Sequence, residues 1–117
     1  MTDFLEDPRL ERAEAAWLEA EQDERRGELS GARSRYADAS QLYAEVVFSM
    51  PIKPELAETR GMWAVGAVSM AARAGQIERA AELAERFLAD TKAFAARERV
   101  ALEGMLAEAR AGARRER

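Results

Sequence analysis

Carboxylates and two tyrosines are the side chains on which any chemistry in this sequence would chiefly rest: it carries 22 Asp and Glu residues, Tyr36 and Tyr43, no Cys and no His. The absence of histidine removes the commonest general base near neutral pH, the commonest metal ligand and any Ser-His or Cys-His dyad. The absence of cysteine removes disulfides, thiolate nucleophiles and zinc-thiolate sites, and leaves the redox compartment open. Two chemistries are left for the carboxylates. A carboxylate-bridged metal pair in a helical bundle usually takes a Glu-x-x-His pair from each of two helices, which this chain lacks. Acid-base work by two carboxylates, as in glycoside hydrolysis, needs acids turned into a pocket that perturbs their pKa. Here Glu45, Glu78, Glu82, Glu85, Glu98 and Glu108 alternate with arginines in the manner of solvated helix faces. Glu82 and Arg86 have the one-turn spacing of an ordinary surface ion pair. No glycine-rich phosphate loop of the P-loop or Rossmann type is present, and neither are the strands that would precede one. The chain therefore reads as non-catalytic, with no metal site and no cofactor.

The elements that carry these side chains are helices. Hydrophobic residues make up 48% of the 117 positions and charged residues 34%, a balance that suits helices with one dry face and one wet face. Alanine, glutamate, arginine and leucine dominate, and they lose little side-chain freedom in a helix, whereas the scarce isoleucine, valine and threonine favour strands. A chain of this length forms one core. The expected architecture is all-α, one domain over residues 1–117, with about five antiparallel helices and frayed termini at 1–7 and 111–117.

Asp7-Pro8 is a helix start, with a carboxylate to cap the first free amides and proline where no amide hydrogen is needed. The first helix runs to about Arg26 and stops at Gly27. Its apolar side is Leu10, Ala13, Trp17 and Ala20, and the stretch from Glu21 to Arg26 is almost wholly polar. The second helix opens near Ser30. Leu29, Ala32, Tyr36, Ala39, Tyr43, Val46, Val47 and Met50 recur at steps of three and four, which marks a core face. Pro51 and Pro54 end it in a rigid turn.

The third helix starts at Pro54 or Glu55 and continues to about Ala74. Leu56, Met62, Trp63, Val65, Val68 and Met70 make it apolar nearly all round, as expected of the central helix of a bundle, and Gly61 and Gly66 imply close packing. Gly75 ends it. The fourth helix carries Ile77, Ala80, Ala81, Ala84, Phe87 and Leu88 on one stripe. Asp90 or Thr91 caps a fifth, which turns Phe94, Ala101, Leu102, Met105, Leu106 and Ala109 inward.

Two of the turns are alike. Gly27-Glu28-Leu29 is followed by Ala32, Tyr36 and Ala39, and Gly75-Gln76-Ile77 by Ala80, Ala84 and Phe87. Glycine reverses the chain, the apolar residue two places on plugs the helix-helix corner, and alanine permits a close crossing. This spacing resembles the tetratricopeptide repeat over about residues 10–92, with the fifth helix as a solvating cap. The two glycines lie 48 residues apart where the family repeats every ~34, so a longer second helix and the proline turn take up the difference. Trp17 stands at the family's large apolar position in the first unit, and Trp63 and Val65 stand near it in the second. A generic antiparallel bundle with two similar hairpins is the alternative architecture.

The resemblance implies that the first helix of each hairpin lines a concave groove. That would set Glu14, Trp17, Glu21, Glu24 and Arg25 beside Met62, Val65, Ser69 and Arg73, an acidic wall against a greasy floor. Such a groove suits a helix or extended peptide with apolar anchors and a few basic residues. The plainer alternative makes Trp17 and Met62 core residues and the glutamates mere solubilisers.

The expected function is thus a protein- or peptide-binding adaptor of tetratricopeptide type. The alternatives are a self-associating structural subunit, meeting its copies through the apolar third helix or the loosely filled first, and a small-molecule-binding protein with a cavity beside Gly61 and Gly66. In the last case any activity would rest on Tyr36, Tyr43 or a buried glutamate.

The net charge of −4 is uneven: residues 1–30 hold ten acidic and four basic side chains, and the rest twelve and fourteen. The basic tail of Arg110, Arg114, Arg115 and Arg117 complements the negative end of a helix dipole, and a chain with net negative charge is not built to bind nucleic acid. No apolar run approaches the ~20 residues a membrane span requires, and the opening residues are acidic where a secretory signal would be basic. No membrane partner and a cytoplasmic location are expected.

Overall fold

The structure, a computed structural model, describes residues 7–90 and 93–116. It is an all-α bundle of five helices with no strand among the described residues: α1 Pro8–Arg25, α2 Leu29–Ser49, α3 Ala57–Arg73, α4 Ile77–Leu88 and α5 Ala96–Glu116. Each helix packs against the next, and α3 also packs against α5. The body measures 41 × 33 × 18 Å, about two helix diameters thick, with α1, α3 and α5 on one side and α2 and α4 behind. Among the described residues no helix is long and apolar enough to cross a membrane.

Asp7 caps α1 by accepting from the Arg9 amide at 2.9 Å. The Arg9 guanidinium grips the same carboxylate at 2.7 Å and donates to Ser49 Oγ at 3.0 Å, tying the start of α1 to the end of α2. These bonds hold the Asp7 carboxyl below its ordinary pKa, chiefly through the Arg9 side chain and then its amide.

The two glycine reversals share one geometry. Gly27 and Gly75 sit at φ +75° and +79°, and the residues after them, Glu28 and Gln76, take φ, ψ of −87°, 70° and −92°, 68°. At the first turn the Glu28 amide donates to Asp23 O at 2.8 Å and the Gly27 amide to Glu24 O at 3.1 Å. At the second the Gln76 amide donates to Ala71 O and the Gly75 amide to Ala72 O, each at 3.0 Å. Both are Schellman caps, which satisfy two orphan carbonyls with a left-handed residue. The matched residues Ala32, Tyr36, Ala39, Ala80, Ala84 and Phe87 are all buried.

The apolar plug differs between the turns. Ile77 packs on the core and lies against Gly112 of α5, whereas Leu29 is 60% exposed, contrary to the expectation that it belongs to the core face, because no helix covers that corner as α5 covers Ile77.

Small residues let α2 and α3 cross closely. Ser40 is buried and donates to the Ala67 carbonyl at 2.7 Å, across to the middle of α3. After the Pro51–Pro54 turn, residues Pro54–Leu56 form one turn of 3-10 helix ahead of α3. Arg60 is buried, donates to the Met50 carbonyl at 2.7 Å and lies 5.5 Å over the Phe94 ring, closing the end of α2 against the segment ahead of α5. Burial lowers its pKa from the ordinary arginine value, opposed by the charge of Asp90. Phe87 meets Phe48 and Phe94 at centroid distances of 5.0 and 5.9 Å to finish this end of the core.

Three further expectations are corrected. The fifth helix starts at Ala96, not at a cap on Asp90; Asp90 lies in the preceding turn, where its carbonyl accepts from the Ala93 amide, and Thr91 lies outside the described residues. Ala101, expected inside, is exposed, while Leu83, absent from the expected stripe of α4, is wholly buried.

Candidate partner-binding groove

The face shared by α1, α3 and α5 holds a groove of about 540 Å³. Its α1 wall is Glu14 and Trp17. The α3 floor includes Met62, Trp63, Val65, Gly66, Ser69, Met70 and Arg73, backed by Tyr43 from α2, and the far wall is Arg97, Glu98 and Ala101 of α5. Helix α3 can serve as a floor because its other side, Ala64, Ala67, Val68 and Ala71, is fully covered by its neighbours.

The nine sequence-predicted residues fall on this face in two groups. Glu14, Trp17, Met62, Val65, Ser69 and Arg73 line the groove itself. Glu21, Glu24 and Arg25 line an adjoining depression that Arg73 shares. Arg73 also borders a third hollow, between α3, α4 and α5.

The expected acidic wall is corrected in its charge. Glu21 lies 3.9 Å from both Arg25 and Arg73, and Glu24 accepts from the Tyr36 hydroxyl. Arg73 further covers the Tyr36 ring at 5.6 Å. At that end each acid is engaged within the protein. Burial pushes the Tyr36 pKa up, with the bond to Glu24 adding to it. Tyr43 is likewise raised, first by burial and then by the charge of Glu14.

At the other end the polar groups are unmatched. Trp17 Nε1 and Glu98 Oε2 are both buried with no hydrogen-bond partner among the described residues, and both belong to residues lining the groove. Such unpaired groups carry a desolvation penalty of ~1–3 kcal/mol each. Glu98 is also held in place: a Cβ built on Gly61 would fall 2.4 Å from its Cγ and 2.5 Å from its Cβ, so the side chain occupies the space the glycine leaves.

That contact answers the idea of a cavity beside the two helix-3 glycines. The space at Gly61 is filled by Glu98, while a Cβ on Gly66 would come no nearer than 3.9 Å to Tyr43 Cδ2 and the residue opens onto the groove. Glu98, whose alternation with arginines predicts a solvated face, instead lines the groove from α5, a helix outside the expected site. The signal available was Gly61 itself, a mid-helix glycine that calls for something packed against it.

Among the described residues no group of three or more acidic side chains converges as a metal site would require. Comparison with known proteins returns no matching family model, no similar curated protein and no similar solved structure.

Proposed function

We propose that this protein is a non-catalytic adaptor of tetratricopeptide-like type, working in the cytoplasm, that holds a protein or peptide in the α1/α3/α5 groove. The observation that carries the reading is an open, mostly apolar groove in which Met62 stands 59% exposed, beside buried polar atoms that have no partner among the described residues. Exposed apolar surface rimmed by polar groups is characteristic of interaction sites. The matching glycine reversals support the repeat-like arrangement of hairpins, and the chain offers no histidine or cysteine for chemistry. The reading includes no cofactor, no nucleic acid and no membrane.

The test is site-specific photo-crosslinking in cells from position 62, in the groove, and from position 29, exposed but outside it. Discrete adducts from position 62 that disappear when Val65 is changed to Arg support the reading. Identical adduct patterns from both positions remove it.

The competing reading, a self-associating subunit, draws on Leu18, which is 59% exposed on α1. Light scattering separates the two: a concentration-dependent rise in mass abolished by Leu18→Asp favours self-association, and a constant monomer mass eliminates it.

A further inference from the structure

From the geometry of the groove we infer the chemistry of its occupant: a peptide segment that pairs an apolar anchor with a lysine or arginine, the cation bound by Glu98 and a peptide carbonyl bound by Trp17. The inference rests on the adaptor reading and specifies it.

Two buried groups in the groove lack a partner among the described residues, and they are of opposite kind. Trp17 Nε1 is a donor only, and Glu98 Oε2 accepts. A peptide offers both complements along one stretch, a main-chain carbonyl for the indole and a charged side-chain donor for the carboxylate. Water could satisfy either group singly, but it supplies no charge to oppose the carboxylate and nothing to cover the apolar floor, which includes Met62 and Val65.

Glu98 is the group that selects. Its Cβ and Cγ are wedged against the Gly61 backbone, so the carboxylate is aimed before any ligand arrives and little side-chain entropy is lost on binding. The groove's cations are placed differently. Arg73 is taken up by Glu21 and the Tyr36 ring, and Arg97 is exposed, where water and salt screen its charge. Glu14 adds a second negative charge on the opposite wall.

The charge of the whole chain acts in the same sense. It carries −4 overall, so a basic segment is drawn toward the protein and an acidic one is held off.

A random-peptide display library panned on the purified full chain tests the proposal, with Glu98→Gln, Trp17→Phe and Met62→Asp in parallel, each checked for wild-type helicity and unfolding midpoint. Chain-wide, Trp17 and Trp63 are the two tryptophans, and both line the groove. A synthetic peptide of the selected consensus is therefore titrated by intrinsic fluorescence. The expected consensus places Lys or Arg beside an apolar residue, shifts the tryptophan emission, and binds Glu98→Gln about tenfold or more weakly, as loss of a charge-paired hydrogen bond implies. Trp17→Phe weakens it less, since one neutral bond is lost. A consensus without Lys or Arg, bound equally by Glu98→Gln but lost with Met62→Asp, overturns the inferred chemistry while leaving the groove as a binding site. No enrichment on the wild type over the variants overturns both.

Discussion

Glu98 fills the place of a side chain that Gly61 does not have: its Cγ lies 2.4 Å from where a Cβ on Gly61 would stand. This contact seats the start of α5 against α3 and forms the far wall of the groove. An intrinsic helix propensity scale gives Gly61→Ala a gain of about 1 kcal/mol, but the methyl would collide with Glu98 near its backbone, where the side chain has no freedom to move aside. The expected net outcome is destabilisation by ~1–3 kcal/mol, read as a lower urea midpoint with an unchanged slope. Gly104, on the same helix as Glu98, has nothing within 4 Å of its would-be Cβ, and Gly104→Ala should raise stability by about 1 kcal/mol. If Gly61→Ala is also stabilising, the contact with Glu98 is not a tight one.

At the reversals, Gly27→Ala and Gly75→Ala should each cost ~1–2 kcal/mol, the penalty for an L-residue in the left-handed region. The space around them is not the obstacle: among the described residues a Cβ on Gly27 would meet nothing within 4 Å, and one on Gly75 would lie 3.7 Å from Arg33 Nε. Both losses therefore have the same backbone origin, and the double variant should lose their sum within about 0.5 kcal/mol. Thermal or urea unfolding of the three variants measures this. A much larger loss at one turn would show that the two are not equivalent.

Both tyrosines titrate above the ordinary value of 10.0. A raised native pKa means that the folded chain keeps its phenolic protons longer than the unfolded one, so the stabilisation is complete below pH ~10 and is lost as the pH climbs through the native values. Phenolate absorbance should rise at higher pH in the folded protein than in the urea-unfolded chain. Tyr36→Phe should cost about 1 kcal/mol at neutral pH through the lost bond to Glu24, and should remove one of the two delayed transitions.

Arg60→Met keeps much of the bulk of the buried side chain but leaves the Met50 carbonyl, the last acceptor at the end of α2, without its donor. A loss of ~1–3 kcal/mol is expected, despite the removal of a desolvated charge. Equal or greater stability in the variant would mean that the cation is a burden and the carbonyl finds another donor.

How much of this was visible in the residue order depends on what each feature rests on. Helix bounds at Asp7-Pro8, Gly27, Pro51 and Gly75 are local chemistry, and local chemistry is written along the chain. The periodic face of α2 was legible because its alanines, tyrosines and valines recur at helical steps. Leu83 lies off the stripe of Ile77, Ala80 and Ala84, which is one edge of a wider buried arc; as a side chain with no exposure, its change to Ala should cost ~2–5 kcal/mol. Leu29 was misplaced because exposure depends on whether another helix arrives to cover it, and no pattern within α2 reports that.

The groove was partly legible for the same reason. The α1 and α3 residues could be set side by side from their positions in matched hairpins. The pairing of Glu21 and Glu24 with Arg25, Arg73 and Tyr36 depends on side-chain geometry across helices. The part played by Glu98 depends on a contact between residues 61 and 98, remote in the chain and marked only by the smallness of one of them.

The agreement in backbone angles at the two reversals bears on how long such a molecule can be. A joint that sends the chain back in one fixed direction, whatever side chains surround it, sets no limit on the number of hairpins that can follow one another. What sets the limit is the surface each arriving helix must meet: Ile77 has Gly112 to lie against, while Leu29, at the corresponding corner, faces water. The two turns share their backbone angles, and the surfaces to which they deliver the following helices differ.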